Sequence, residues 1–262
     1  MMKDLFSLEN RIAVVTGGSR GIGKMIAQGF LEQGAKVYIT ARKAEASDAT
    51  AKELSAYGEC ISMPHDLSTV DGCREFAKEV TAKDPKIDIL VNNAGAAWGE
   101  PFETYPEKGW DKTMDLNVKS LFYLTQAMYV AMKNAASAER PGKVINIASI
   151  DGVKINPWET YAYQASKAAV IHLTRRLAAR LIKDDICVSG IAPGAFASDM
   201  NKATRDAPDA VAKMIPAQRV GRPEDMAGTA VFLASKAGDY VIGDTLAVDG
   251  GVAYSQIGDA WG

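Results

Sequence analysis

Tyr163 and Lys167 stand four residues apart in Tyr163-Gln164-Ala165-Ser166-Lys167, and Ser149 closes the apolar run that precedes them. On an α-helix that spacing is about one turn, so a phenol and an ammonium project from one face. A free phenol titrates near ~10, too high to exchange protons readily at neutrality. A nearby positive charge favours the phenolate and lowers that value. A serine hydroxyl in reach can hydrogen-bond the oxygen that gains or loses the proton. These three side chains are the parts of a proton-delivery site. Tyr161 competes for the same role, but it lies six residues before Lys167 and well round the helix, so it reads as packing or pocket lining. Ser166 and Ser189 read as structural. Tyr-x-x-x-Lys alone is a spacing any helix can show, and its meaning depends on the elements around it.

Those elements alternate. The sequence predicts strands at Arg11 to Thr16, Lys36 to Thr40, Cys60 to Met63, Ile87 to Val91, Lys143 to Ala148, Ile186 to Ile191 and Asp244 to Val248. Helices are expected at Gly21 to Gln33, Glu45 to Tyr57, Val70 to Lys83, Glu107 to Ala136 and Tyr161 to Ile182. Strands apolar on both faces, joined by helix-length crossovers, imply a parallel sheet covered on both sides. With no linker, composition break or internal repeat, residues 1–262 read as one domain. Its cofactor half runs over about 1–150 and its substrate half over about 151–262. Residues 195–221, irregular and carrying Pro208 and Pro216, are expected to fold over the site as a lid.

The first strand–helix junction is Thr16-Gly17-Gly18-Ser19-Arg20-Gly21-Ile22-Gly23. Glycines there let backbone N–H groups approach a pyrophosphate, which the positive end of the helix also attracts. The spacing is not G-x-G-x-x-G, but the first βα turn of a parallel-sheet chain is where a nucleotide is expected. An acid ending the second strand would bond a ribose 2′-hydroxyl and repel a 2′-phosphate. Here that strand runs into Thr40-Ala41-Arg42-Lys43, and Arg20 adds a third cation from the glycine loop. Arginine clamps phosphate with two donors, so the pattern favours NADP(H) over NAD(H).

Composition removes other classes. A formal net charge of −2 over 262 residues gives no electrostatic case for nucleic acid or an anionic membrane. Cys60, Cys73 and Cys187 are scattered without Cys-x-x-Cys, so neither a disulfide framework nor a metal site is expected. His65 and His172, the only histidines, read as structural, and Ser149 lacks the histidine of a hydrolase triad. The ten methionines read as core filler. No run approaches the roughly 20 apolar residues of a membrane span, and the start of the chain reads as no signal peptide, so a cytoplasmic location is expected.

Thr16-x-x-x-x-Gly21-x-Gly23, Asn92-Asn93-Ala94-Gly95, Ser149 and Tyr163-x-x-x-Lys167 together resemble the short-chain dehydrogenase/reductase family, in its order and approximate spacing, over essentially the whole chain. The resemblance implies a single doubly wound Rossmann domain, α/β, with a seven-stranded parallel sheet in the order 3-2-1-4-5-6-7. It implies a catalytic tetrad of Asn117, Ser149, Tyr163 and Lys167, Asn117 holding a water in a proton relay. For the cofactor it implies Gly17, Ser19, Arg20, Gly21, Ile22 and Gly23 around the phosphates, and Arg42 beside them. Asp66 and Leu67 would border the adenine, and Asn93, Ala94 and Gly95 the adenosine ribose. Tyr163 and Lys167 would reach the nicotinamide ribose, with Pro193, Gly194 and Ser198 near the nicotinamide amide. Ser198 stands where the family usually has threonine; the hydroxyl is retained. Asp249-Gly250-Gly251 matches the family's C-terminal signature. The family is usually a homotetramer, assembled here through Glu107 to Ala136, Tyr161 to Ile182 and Asp244 to Val248, and the tail Tyr254 to Gly262, with Trp261, is placed to reach a neighbour.

Within the family, Phe6 to Ala13, Ser55 to Gly58, Ser137 to Glu139 and Ile191 to Gly194 resemble the NADPH-dependent β-ketoacyl reductases associated with rhamnolipid synthesis. That resemblance implies reduction of a 3-oxoacyl thioester, bound to coenzyme A or an acyl carrier protein, to a 3-hydroxyacyl product. Arg175, Arg176, Arg180 and Lys183 are the candidates for a carrier-protein docking patch near the active-site mouth; solvated helix charges are the alternative. A general carbonyl, sugar or polyol reductase is the other enzymatic reading. A non-catalytic NADP(H)-binding sensor is a third, against which the complete tetrad stands.

Overall fold

The computed structural model describes residues 4–199 and 201–255. Its centre is a seven-stranded parallel sheet in the order β3-β2-β1-β4-β5-β6-β7. The strands are β1 (Ile12–Thr16), β2 (Lys36–Thr40), β3 (Cys60–Ser62), β4 (Ile89–Asn92), β5 (Gly142–Ile147), β6 (Ile186–Pro193) and β7 (Thr245–Val248). The connections are α1 (Gly21–Glu32), α2 (Ala44–Leu54), α3 (Val70–Lys83), α4 (Glu107–Met114), α5 (Ser120–Ala135) and α6 (Tyr161–Leu181), followed by α7 (Lys202–Asp206), α8 (Pro208–Ala212) and α9 (Pro223–Ala234). Inner strands are buried on both faces because helices cover both. Ile26 and Phe30 of α1, Leu54 of α2 and Met226 and Ala230 of α9 pack on one face. Phe76 and Val80 of α3, Leu124 and Met128 of α5 and Ala178 and Leu181 of α6 pack on the other.

The sheet order places a switch point between β1 and β4, whose next connections leave on opposite sides. A crevice opens outside the carboxyl ends of such strands. Thr16 closes it from beneath: its hydroxyl donates to Val91 O at 3.2 Å and accepts from the backbone N–H groups of Asn93 and Ala94, both at 2.9 Å. One buried hydroxyl thereby locks the glycine loop to the loop after β4.

Three elements differ from the sequence reading. The expected helix Glu107 to Ala136 is interrupted by one π-helical turn at Asp115–Lys119. There the Ser120 N–H reaches Asp115 O, while Ser120 Oγ donates to Leu116 O at 2.7 Å. The wider turn rotates Asn117 into the interior, where it is 3% exposed. Helix α9 has no counterpart in the sequence reading, although Pro223 at its first turn and Asp225, which accepts from the Arg222 N–H at 2.8 Å, mark its start. Finally, segment 195–221 is not structureless. It carries α7 and α8, and its ends are pinned where the Gly221 N–H donates to Ala195 O at 2.9 Å. Residues 256–262, with Trp261 of the expected subunit-reaching tail, lie outside the described residues. No described helix is long and apolar enough to cross a membrane.

Candidate active site

Ser149 leaves β5 in extended conformation (φ −165°) and starts a 3-10 turn, Ile150–Gly152, whose Asp151 N–H donates to Ser149 Oγ at 3.1 Å. The turn must press against α6. A Cβ on Gly152 would come within 2.5 Å of the Lys167 backbone carbon, so only glycine lets the Ser149 turn sit this close to the helix carrying Tyr163.

Tyr163 and Lys167 share the face of α6 that meets this turn. The Lys167 Nζ donates to Ile147 O at 2.8 Å and lies 5.6 Å from the Tyr163 ring centroid. Ser149 and Tyr163 hydroxyls are within hydrogen-bonding reach. Burial pushes the Tyr163 phenol up to about 12; the Ser149 bond pulls it down and the Asp151 charge pushes it up. Burial brings Lys167 down to about 8, with Asp151 opposing. The expectation that Lys167 depresses the phenol is therefore not met in the chain as folded. Desolvation disfavours both charged forms and is the largest cause of each shift. What the geometry does preserve is a protonated phenol, the form that an acid needs.

Beneath the pair lies a bonded framework. Asn117 Oδ1 accepts from the Ala96 N–H at 2.8 Å, and its Nδ2 donates to Ala96 O at 2.9 Å and to Ser166 Oγ at 2.8 Å. Ser166 in turn donates to Tyr163 O at 2.7 Å. Asn117 is thus bonded to the loop after β4 and, through Ser166, to the backbone of Tyr163. Both ends of its amide are bonded to protein. A deeper chain runs from Thr125 through Asn92 and Asn146 to Thr174, with Asn92 donating at 3.0 and 2.9 Å and Asn146 at 3.0 Å. It ties α5 and α6 to the centre of the sheet, directly under the site. Sequence reasoning left Ser166 as structural and did not single out Asn146 or Thr174. The signal was present: polar residues inside an otherwise apolar strand and on the buried face of a helix require partners.

On the phosphate side, Gly17 has φ +64°, and a Cβ on Gly23 would lie 2.3 Å from Gly17 O. Asn93 Nδ2 donates to Thr16 O at 2.8 Å and Gly17 O at 3.3 Å, so its amide braces the loop. Ser19 and Ile22 belong to this loop and the start of α1, with Ile22 packed on the core. Thr40 Oγ1, at the end of β2, is buried with no partner, beside a loop whose Gly18 N–H donates to Thr40 O. Arg20 and Arg42 are exposed at the same end. Glycine cradle, helix N-terminus, orphan hydroxyl and two cations fit a phosphorylated dinucleotide. Arg20 Nη1 is paired with Asp199 Oδ2 at 2.7 Å, and Asp199 also holds Arg205 at 3.0 Å. Ser198 sits over Gly21: a Cβ there would be 3.3 Å from Ser198 Cβ. Segment 195–221 therefore touches the glycine loop. Asp66 Oδ1 accepts from the Ser68 N–H at 2.9 Å. Burial raises the Asp66 carboxyl, but its bonds to Ser68 and the charge of Arg42 outweigh this and hold it below the ordinary value. Leu67 is buried, Ala94 packs on the core, and Gly95 leaves just enough room for Asn117 Oδ1, 3.1 Å from where a Cβ would be. The Gly194 N–H after Pro193 donates to Val248 O at 3.0 Å, fixing the last two strands. Asp249 accepts from the N–H groups of Gly251 at 2.9 Å and Ala253 at 2.6 Å.

The basic residues proposed for docking lie elsewhere. Along α6, Arg175 is about 18 Å and Arg180 about 25 Å from Tyr163, and Arg180 is paired with Asp184 at 2.7 Å. Within one chain they are not at the mouth of the site.

The pattern of a family described as enoyl-(acyl carrier protein) reductase matches residues 17–253. The chain is 49% identical over 253 residues to the rhamnolipids biosynthesis 3-oxoacyl-[acyl-carrier-protein] reductase of Pseudomonas aeruginosa, covering 95% of this chain and 99% of that one. A solved Pseudomonas aeruginosa RhlG/NADP active-site complex superposes with a TM-score of 0.93 at 48% identity, covering 95% of this chain and 99% of the other. A gluconate 5-dehydrogenase from Burkholderia cenocepacia, solved with NADP and tartrate, superposes with a TM-score of 0.89 at 33% identity, covering 98% and 100%.

Proposed function

The chain belongs to the short-chain dehydrogenase/reductase family, and from that premise we propose that it is an NADP(H)-dependent reductase of 3-oxoacyl thioesters. The observation that carries the reading is the protonated, half-buried Tyr163 facing Ser149 beside a cradle fit for a phosphorylated dinucleotide. Gly17, Gly21, Gly23, Arg20 and Arg42 would hold the cofactor, which supplies a hydride when bound. Ser149 donates a hydrogen bond to the substrate carbonyl oxygen and fixes its position. Tyr163 gives its proton to that oxygen as the carbonyl carbon is reduced. Lys167, held by Ile147 O, carries the positive charge that stabilises the phenolate left behind, and Asn117 with Ser166 keeps the helix turn in place.

The test is NADPH oxidation, followed by absorbance, with acetoacetyl-CoA and with 5-keto-D-gluconate. The thioester is expected to be the better substrate, and NADPH the better donor than NADH. Preference for the sugar acid would favour the second reading, a sugar-acid reductase, which rests on the likeness to the gluconate 5-dehydrogenase. The same reading carries a cytoplasmic homotetramer built on α4 and α5, α6 and β7. The exposed apolar residues Phe122 and Val130 on α5 and Ile182 after α6 support it, and sedimentation of the purified protein tests it.

A further inference from the structure

Two residues beyond Ser149, the site holds a carboxylate that the proton relay does not use. Asp151 is in the 3-10 turn, and its backbone N–H donates to Ser149 Oγ at 3.1 Å, so its backbone is tied to the group that positions the carbonyl. It is partly buried, and Asn156 lies within hydrogen-bonding reach of its carboxylate. Asn156 is itself fixed: its Oδ1 accepts from the Trp158 N–H at 2.8 Å and from Gln164 Nε2 at 3.3 Å, and Gln164 adjoins Tyr163 on α6. Asp151 stands in the turn that holds Ser149 and presses on α6 at Lys167, where a Cβ on Gly152 would meet the Lys167 backbone at 2.5 Å, and its charge acts on both Tyr163 and Lys167. Glu159 accepts from the Tyr161 hydroxyl at 3.1 Å and from the Phe102 N–H at 3.4 Å, and Glu103 acts on Tyr161 through space.

We propose that Asp151 is a specificity residue that excludes substrates bearing a negative charge next to the reacting carbonyl, so that the site selects neutral 3-oxo esters and thioesters over free 3-oxo acids. A second carboxylate brought beside a fixed, half-desolvated one is disfavoured by like-charge repulsion, a penalty a neutral ester of the same skeleton does not meet. An anionic group at the far end of a long thioester arm lies many ångströms away and is screened. Burial raises the Asp151 carboxyl, while Asn156 and Lys167 oppose the rise.

This inference rests on the carbonyl-reductase reading, and one experiment separates the two. NADPH oxidation is measured at pH 8 with ethyl acetoacetate and with acetoacetate, for the wild type, Asp151→Asn and Asp151→Ser. Comparing the ester-to-acid ratio of kcat/KM between proteins cancels the intrinsic reactivity of each compound. The ratio is expected to fall at least about 10-fold in either variant. A ratio unchanged within about 2-fold, with the wild type active on the ester, overturns the inference and leaves the reductase reading intact. Loss of both activities in both variants with NADPH binding retained also overturns it, since Asp151 would then serve turnover rather than selection. No oxidation by the wild type with either compound sinks the inference and the reading together.

Discussion

On the catalytic side of the crevice the polar side chains are buried and bonded to one another, whereas on the phosphate side Arg20 is exposed and paired with Asp199 of segment 195–221. Asn117, Ser166, Lys167, Asn92, Asn146 and Thr174 are all under 9% exposed, and short bonds to neutral partners set their positions. Arg20, Asp199 and Arg205 are joined by ion pairs whose side chains are 44–74% exposed. A buried hydrogen-bonded group cannot leave its partner without a desolvation cost of about 1–3 kcal/mol. An exposed ion pair is worth little and exchanges readily. The bonded framework around Tyr163 and Lys167 is therefore built into the folded chain, while Arg20 beside the glycine loop is held provisionally and is free to change partners.

The comparison is broken most directly at Lys167. Lys167→Met is expected to lower kcat by about 10³-fold or more, read as steady-state NADPH oxidation. The same variant has a pH signature. Lys167 is lowered from 10.5 to about 8, so between those values the unfolded chain binds more protons than the folded one. Its contribution to stability is full above pH 10.5, falls as pH falls, and is lost below about 8. Tyr163, raised from 10.0 to about 12, acts in the opposite direction as pH rises above 10.0. Denaturant melts at pH 7 and pH 10 should show Lys167→Met gaining more stability relative to wild type at the lower pH. An equal difference at both would mean that the lysine is not desolvated.

On the phosphate side the expected effects change the cofactor chosen and leave kcat nearly alone. Ala41→Asp with Arg42→Glu should shift the NADPH-to-NADH ratio of kcat/KM toward NADH by about 100-fold. A wild type that already prefers NADH would contradict the assignment. On the catalytic side again, Ser166→Ala should lower kcat about 10-fold and stability by about 1–3 kcal/mol, because it leaves the Asn117 Nδ2 buried with one partner fewer. An unchanged kcat would make Ser166 packing alone. Asp199→Asn, the smallest, should tighten NADPH binding only about 2–3-fold by releasing Arg20, with a thermal midpoint unchanged within error. Weaker binding would show that the Arg20–Asp199 pair belongs to the bound state.

The covered parallel sheet was legible because each inner strand is an apolar run between helix-length crossovers, its strand order followed from the family resemblance, and the meeting of Tyr163 and Lys167 on one helix face was legible from spacing. The π turn was not. Asp115 to Lys119 has the composition of an ordinary amphipathic helix, and the partners that Asn117 meets at the wider turn, Ala96 and Ser166, lie far away in sequence. Helix α9 carried start signals at Pro223 and Asp225 but followed an irregular segment that drew attention away from it. The pKa directions were illegible for a physical reason. Spacing shows that Lys167 is near Tyr163, but desolvation depends on every group packed around them. The basic residues of α6 show the same limit: a shared helix does not mean a shared end.

The most direct test compares Tyr163→Phe with the wild type in two assays, NADPH binding by fluorescence titration and NADPH oxidation with acetoacetyl-CoA. Binding is expected to stay within about 3-fold of wild type while turnover falls by about 10³-fold or more. Turnover within about 10-fold of wild type would contradict the assignment of Tyr163 as the proton donor.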